Sequence, residues 1–359
     1  MINLLLGLIA VILALTIVAQ VAKINDISKI LKGDEKNNEE ARNTVMSRML
    51  VFFFLFFLIF IYFTHVIFKT KLLPVAASEH GHWLDKMFDE TGYLTGFVFI
   101  ITQTLLFWFV YKYSGKKDKK AYFYPVNHKL ELIWTLIPSL FLIYLVYMGM
   151  HNWYRITGDA PKDAMVVEVT GQQFNWLVRY PGADDKLGVR KFELLGTDSN
   201  KNVLGQDWSD PHGKDDFMVD EIHLPVNKPV LFKLGSKDVI HSFFLPHFRV
   251  QQNCVPGLPT QFHFKPTITT AEMKKKTGDP NYEYWLACAA ICGASHYNMK
   301  MKIIVEDEKE FATWHNSQKS YYYTTINPKA AIKAKPTAND TTQQIKPAAK
   351  GSSTAMNHL

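Results

Sequence analysis

The sequence predicts an α + β membrane protein: four transmembrane helices followed by an extracytoplasmic Greek-key β-barrel or sandwich. Three observations predict it. Four long apolar runs crowd the first 150 residues, short alternating β-branched and aromatic runs replace them from Met165 onward, and the last of these flank a loop rich in metal-ligating residues.

The first run, Ile2 to Ala22, is long enough to cross a hydrocarbon core of ~30 Å. It lacks the basic n-region and small-x-small site of a signal peptide, so it reads as a span. Met49 to Phe68, Gly92 to Tyr111 and Leu130 to Met150 are the second, third and fourth. Lysine and arginine counts orient them. Lys23, Lys29, Lys32, Lys36, Arg42 and Arg48 lie between spans one and two, and Lys112, Lys116, Lys117, Lys119, Lys120 and Lys129 between three and four. Only Lys69, Lys71 and Lys86 separate spans two and three, so the positive-inside rule places both termini, and the domain after span four, outside the cytoplasm.

After Met165 the period changes from helical to alternating. Val166 to Thr170, Phe174 to Tyr180, Val230 to Leu234, Phe262 to Phe264 and Lys302 to Val305 are short runs bounded by Gly, Pro and Asn, which is strand chemistry. Residues 183–216 form a polar, Asp- and Gly-rich insertion, read as a solvated surface or docking loop. Glu308 to Trp314 predicts a short closing helix. Beyond it the Lys-, Ala-, Thr- and Pro-rich residues 319–359 predict a low-complexity tail unable to bury a core, with Tyr321 to Tyr323 pinning its start to another subunit. The expected units are therefore 1–70, an additional two-helix membrane segment; 71–152, a helical hairpin; 153–318, the β domain; and the tail.

Composition narrows the function. A formal charge of +7 comes largely from lysines in loops and tail, which gives no basic face for nucleic acid. The three cysteines make no disulfide framework, and no Cys-x-x-Cys-His occurs to attach a c-type haem.

The loop from Cys288 to Met299 carries the chemistry. It holds Cys288, Cys292, His296 and Met299, soft and borderline donors that select copper, zinc or iron–sulfur. A structural zinc site wants a second Cys or His pair, and none exists here. Copper suits one Cys, a nearby His, a soft Met and a second His from a distant strand. His241, at the end of an apolar strand pattern, supplies that second His, and the extra thiolate lets two bridging sulfurs hold two copper ions. Singly, a Cys-x3-Cys pair is more often a disulfide and a His-x2-Met more often packing. Their joint order favours the metal. Cys254 has no such company and reads as a small buried residue.

Here the chain resembles subunit 2 of the haem-copper cytochrome c oxidases of bacterial type. The resemblance rests on Asp238-Val239-Ile240-His241, the Cys288-to-Met299 loop, Ala76 to His82 before the third span and Asn127 to Pro138 entering the fourth. It implies a cupredoxin-type domain in which Cys288 and Cys292 bridge the two coppers of a CuA centre. His241 and Met299 complete one copper, and His296 with the backbone carbonyl of Ala290 completes the other. It implies Glu131 at the entrance of a proton path into subunit 1, and Phe174 and Trp176 in the electron-input region. Two departures stand out. Ala290 replaces the family's Glu, which removes the side chain that reaches a magnesium ion at the subunit 1 interface, and Phe174 replaces the exposed Trp over which cytochrome c docks.

The resulting expectation is the electron-accepting subunit of a respiratory terminal oxidase in a bacterial cytoplasmic membrane, with copper but no haem on this chain. Its expected partners are subunit 1, further oxidase subunits, membrane lipid around the extra spans and a cytochrome c-type donor, held in a stable assembly with a quinol-oxidising complex. The rivals are a copper-free quinol oxidase subunit 2 and a membrane-anchored copper-delivery protein. The first lacks the copper ligands, and the second places its His after the Cys pair.

Overall fold

The computed structural model describes residues 2–31, 35–116, 119–196 and 201–333. Helices α1 (Ile2–Leu31), α2 (Glu35–Leu72), α3 (Gly81–Lys112) and α4 (His128–Thr157) come first. They are followed by β1 (Met165–Gln172), β2 (Asn175–Tyr180), β3 (Phe217–Val219), β4 (Ile222–Pro225), β5 (Val230–Ser236), β6 (His241–Leu245), β7 (Val250–Cys254) and β8 (Thr260–Phe264). Helix α5 (Thr270–Thr277), β9 (Tyr284–Cys288), β10 (Lys300–Glu306), α6 (Glu308–Ser317) and α7 (Pro328–Lys333) complete the order. The chain divides into a helical unit ending at Arg155 and a β unit beginning at Ile156, to which the segment Ala77–Glu79 also belongs.

In the helical unit, Glu39–Lys69, Gly81–Lys112 and His128–Thr157 are long and apolar enough to cross a membrane. Helix α1 covers the first expected span, but the side chains of residues 2–12 lie outside the described residues. Three helices rather than four therefore meet the measure of a span among the described residues. The aromatic and aliphatic side chains of α2 to α4 point outward, as lipid requires. Thr91, Thr95 and Thr102 each return their hydroxyl to the carbonyl one turn back, at 2.8 Å, so these three hydroxyls do not face hydrocarbon unpaired. Helix α2 seats on α3 through the stacked rings of Phe54 and Phe107, 4.6 Å between centroids. Near the other end of α3, the Arg155 guanidinium lies 3.5 Å over the Trp83 ring, an amphipathic pair suited to a membrane interface.

The β unit holds two five-stranded sheets, ordered β3-β2-β1-β5-β8 and β4-β10-β9-β6-β7. The chain crosses from one sheet to the other five times, and this swapping produces the parallel pairs β1·β5 and β4·β10 inside otherwise antiparallel sheets. Alternate residues of each strand face inward. Phe232, Phe262 and Phe264 of the first sheet meet Phe243 of the second and Phe248 of the turn joining β6 to β7, with centroids 5.2–5.7 Å apart across the gap. All five rings are buried. Each contributes roughly 1.5–3 kcal/mol by leaving water.

Two regions differ from their sequence-based expectation. The insertion 183–216 is more than a solvated surface, since Leu204, Gln206 and Asp216 are buried in it. Asp216 accepts from Arg179 Nη1 at 2.7 Å, while Glu168 accepts from Arg179 Nε at 2.7 Å and from Arg190 at 3.1 Å. The tail also starts later than its composition implies. Residues 319–333 are folded, and their tyrosines contact this chain: Tyr321 donates to the Lys201 carbonyl at 2.7 Å, and Tyr322 packs on Trp208 at 5.2 Å. The rest of the expected tail, residues 334–359, lies outside the described residues.

Candidate metal centre

One corner of the second sheet gathers the thiols. Strands β6 and β9 pair antiparallel, with Phe243 opposite Cys288, which sets the start of β6 beside the end of β9. The loop after Cys288 folds back on that edge: Cys288 N–H donates to the Met299 carbonyl and Ala289 N–H to Ser242, both at 3.0 Å. Gly293 turns the loop with φ of +137°, a conformation open to glycine but costly for other residues.

This path brings five side chains and one carbonyl together. The sulfurs of Cys288 and Cys292 are 3.9 Å apart and unlinked. His241 Nδ1 lies 3.9 Å from Cys288 Sγ, His296 Nδ1 lies 3.6 Å from Cys292 Sγ, and Met299 Sδ lies 3.7 Å from Cys292 Sγ. The Ala290 carbonyl oxygen is 3.2 Å from Cys288 Sγ. His241, Cys288, Cys292 and Met299 are buried and His296 is half-buried.

The surroundings prepare these donors for a cation. Asp238 accepts from His241 Nε2 at 2.8 Å, which places the ring's free lone pair at Nδ1, facing the sulfurs. Burial works against the Asp238 carboxylate, yet the N–H groups of Gln173, His241 and Val239 outweigh it and hold its pKa below the usual value. Burial and the adjoining Cys288 thiol push Cys292 up to about 11. Without a metal the Cys292 sulfur keeps its proton, and metal binding must release it.

Gln173 bridges to the opposite sheet: its N–H donates to Asp238 at 2.7 Å and its side-chain amide to the Cys292 carbonyl at 2.6 Å. Phe174 lies over the loop, so close that a Cβ on Gly293 would sit 2.8 Å from its ring. It is 37 % exposed, a ring with one side on the metal loop and the other in solvent. Trp176 is buried against the His241 ring, 6.0 Å between centroids. Glu131 is elsewhere, in the first turn of α4, where it pairs with His128 Nδ1 at 3.1 Å on an exposed face.

Sequence reasoning missed three supports: Asp238 as the holder of His241, Gln173 as the holder of Cys292, and Gly171 under the imidazole. The spacing of Asp238 three residues before His241 was a usable signal. The other two depend on contacts between sheets.

Residues 165–307 match the family described as "Cytochrome C oxidase subunit II, periplasmic domain", and residues 67–151 match "Cytochrome C oxidase subunit II, transmembrane domain". The alternative cytochrome c oxidase subunit 2 of Bradyrhizobium diazoefficiens is 33% identical over 241 residues, covering 67% of this chain and 81% of that protein. The chain belongs to the cytochrome c oxidase subunit II family. Subunit 2 of Thermostichus vulcanus is 29% identical over 271 residues, covering 69% of this chain and 79% of the relative. Among solved structures, the periplasmic domain of subunit II of cytochrome oxidase from Bradyrhizobium japonicum aligns at 27% identity over 44% of this chain and 96% of that one, with a TM-score of 0.30. As a subunit II, the protein is part of a respiratory haem-copper oxidase and a partner of its other subunits. It carries a transmembrane portion and a cupredoxin-like periplasmic domain.

The donor set fits the metal of this family. Two thiols, a thioether and two imidazoles are the ligands copper prefers, while a hard cation wants oxygen. The one oxygen donor at the thiols is a backbone carbonyl, and Ala290 adds no carboxylate.

Proposed function

We propose that this chain is the electron-accepting subunit of its oxidase and binds a binuclear CuA centre through His241, Cys288, the Ala290 carbonyl, Cys292, His296 and Met299. The observation that carries the reading is the convergence of six donors, more than one tetrahedral ion takes, with two thiols 3.9 Å apart and free to be shared. Bound there, the copper pair supplies one-electron acceptance from a cytochrome c-type donor and release toward the haem centres of subunit 1, where oxygen is reduced to water.

The chain's own residues make that exchange possible. Cys288 and Cys292 surrender their protons on loading, Asp238 keeps His241 turned to the site, and the loop hydrogen bonds keep the donors from rearranging between charge states. Phe174 offers an apolar contact surface directly over the loop. It lacks the indole N–H and strong cation–π face of a Trp, which favours a donor haem held in a stable assembly over a diffusing basic cytochrome. No haem sits on this chain in this reading, and no magnesium is bound through residue 290.

The protein is placed as a multi-pass protein of the bacterial cytoplasmic membrane, its termini and copper domain periplasmic. Residues 1–70 pack on lipid or neighbouring subunits, 71–152 form the hairpin, 153–318 the copper domain, and the low-complexity tail follows the folded residues 319–333. Glu131 serves as the proton-path entrance, so Glu131→Gln slows oxygen consumption with copper and assembly intact; unchanged turnover would refute that role. The main test is Cys288→Ser in the purified complex. Oxygen consumption driven by the cytochrome donor stops, while a small reductant still reduces the haems directly. Full donor-driven turnover in that variant would sink the reading.

A further inference from the structure

The buried face of the His241 imidazole is shaped from the opposite sheet. A Cβ on Gly171 of β1 would lie 2.6 Å from His241 Cδ2 and 2.9 Å from Cγ, closer than side chains approach one another. Glycine is needed there for space alone. Gly171 stands in register opposite Trp176 of β2. Cross-strand partners present their side chains to the same face. Here one partner contributes nothing, and the other contributes an indole set edge-on to the imidazole at 6.0 Å and 63°.

Asp238 holds one end of the ring, but a hydrogen bond at Nε2 fixes a point and leaves the ring plane free to tilt about it. The Gly171 backbone and the Trp176 ring, neighbours on one face of the first sheet, both limit that tilt. Trp176 is 2 % exposed and its Nε1 makes no hydrogen bond. The indole therefore acts through its shape and not through a polar network. Its second neighbour, Phe243 at 5.9 Å, holds it in place from below.

We propose that Gly171 and Trp176 are positioning residues, a clamp of two neighbouring strands that fixes the ring plane of His241 and so sets how tightly copper is held and what spectrum it shows. The proposal rests on the copper-binding reading of His241. It adds a control inside the same fold: Gly235 on β5, where a Cβ meets open space, is the register partner of Thr170 beside the clamp.

The test uses the purified full complex with wild type, Gly171→Ala, Gly235→Ala and Trp176→Phe. Copper retention is read by competition with a copper chelator, bathocuproine disulfonate, and the site by its electron paramagnetic resonance spectrum. Gly171→Ala weakens copper retention about tenfold or more and changes the spectrum, as loss of a ligand's support does. Trp176→Phe shifts both less, and Gly235→Ala leaves both at wild type. Copper-loaded wild type with both Gly171→Ala and Trp176→Phe indistinguishable from it would overturn the clamp alone. A wild type that holds no copper would overturn the copper reading as well. Where Gly171→Ala fails to assemble, the Trp176→Phe spectrum decides: a shift supports the clamp, identity with wild type rejects it.

Discussion

Two buried polar clusters in the β unit look alike by burial and differ in what they leave unmet. Around Arg179, two guanidinium groups face two carboxylates, and each charge finds its opposite within 2.7–3.1 Å. Burial works to raise the Glu168 carboxyl, yet Arg179 and Arg190 outweigh it and hold its pKa low, while burial pushes Asp216 up to about 6 against the pull of Arg179. Each charge has its opposite, and one carboxylate oxygen, Asp216 Oδ1, has no hydrogen-bond partner. At the metal corner, two thiols, two imidazoles and a thioether meet at 3.6–3.9 Å with no cationic side chain among them, and they are acceptors once the thiols are deprotonated. The presence of an opposite charge, more than burial, separates a structural network from a ligand site.

That contrast breaks most sharply at the thiols. Replacing both Cys288 and Cys292 by Ser removes copper binding altogether while the metal-free β unit melts close to wild type, because the thiols take little part in holding the fold. Metal analysis and thermal unfolding check it, and copper retained in the double variant would erase the distinction. The converse change is Arg179→Met. Removing the shared partner of two buried carboxylates costs about 3–5 kcal/mol of stability, yet the chains that fold keep their copper. An intermediate effect belongs to Asp238→Asn, which keeps the fold and weakens copper retention about 10–100-fold by loosening the support of His241.

The smallest effect is a pH dependence. Burial pushes His223 from 6.5 down to about 4, beneath Trp314, whose ring stacks on it at 4.0 Å. The unfolded chain then binds one proton more than the folded chain between those values. Stability therefore falls as pH drops through 6.5 toward 4. His223→Gln flattens that part of the melting-temperature profile, and an unaltered profile would show that another group is responsible.

The same contrast explains what the sequence made legible. The metal donors lie mostly in one twelve-residue loop, so their types and spacing announce themselves before any fold is known. Arg179, Glu168, Arg190 and Asp216 come from two strands and an insertion, and nothing local marks them as partners. Gly171 reads as an ordinary strand glycine until His241 of the other sheet is laid against it. The three tyrosines after Ser320 sit in a polar stretch whose composition speaks for an extended chain, and only the Trp208 and Lys201 contacts reveal that it folds. Three of the four expected spans were readable from length alone, since lipid imposes one rule on every residue of a run.

The most direct test of the central claim is copper counting on the purified, intact complex, combined with electron paramagnetic resonance of the oxidised state. The expected result is two copper ions that are lost together when Cys288 and Cys292 are replaced by Ser, and that share one unpaired electron in a mixed-valence signal. A difference of one copper with the signal of an isolated ion, or no difference, would contradict it.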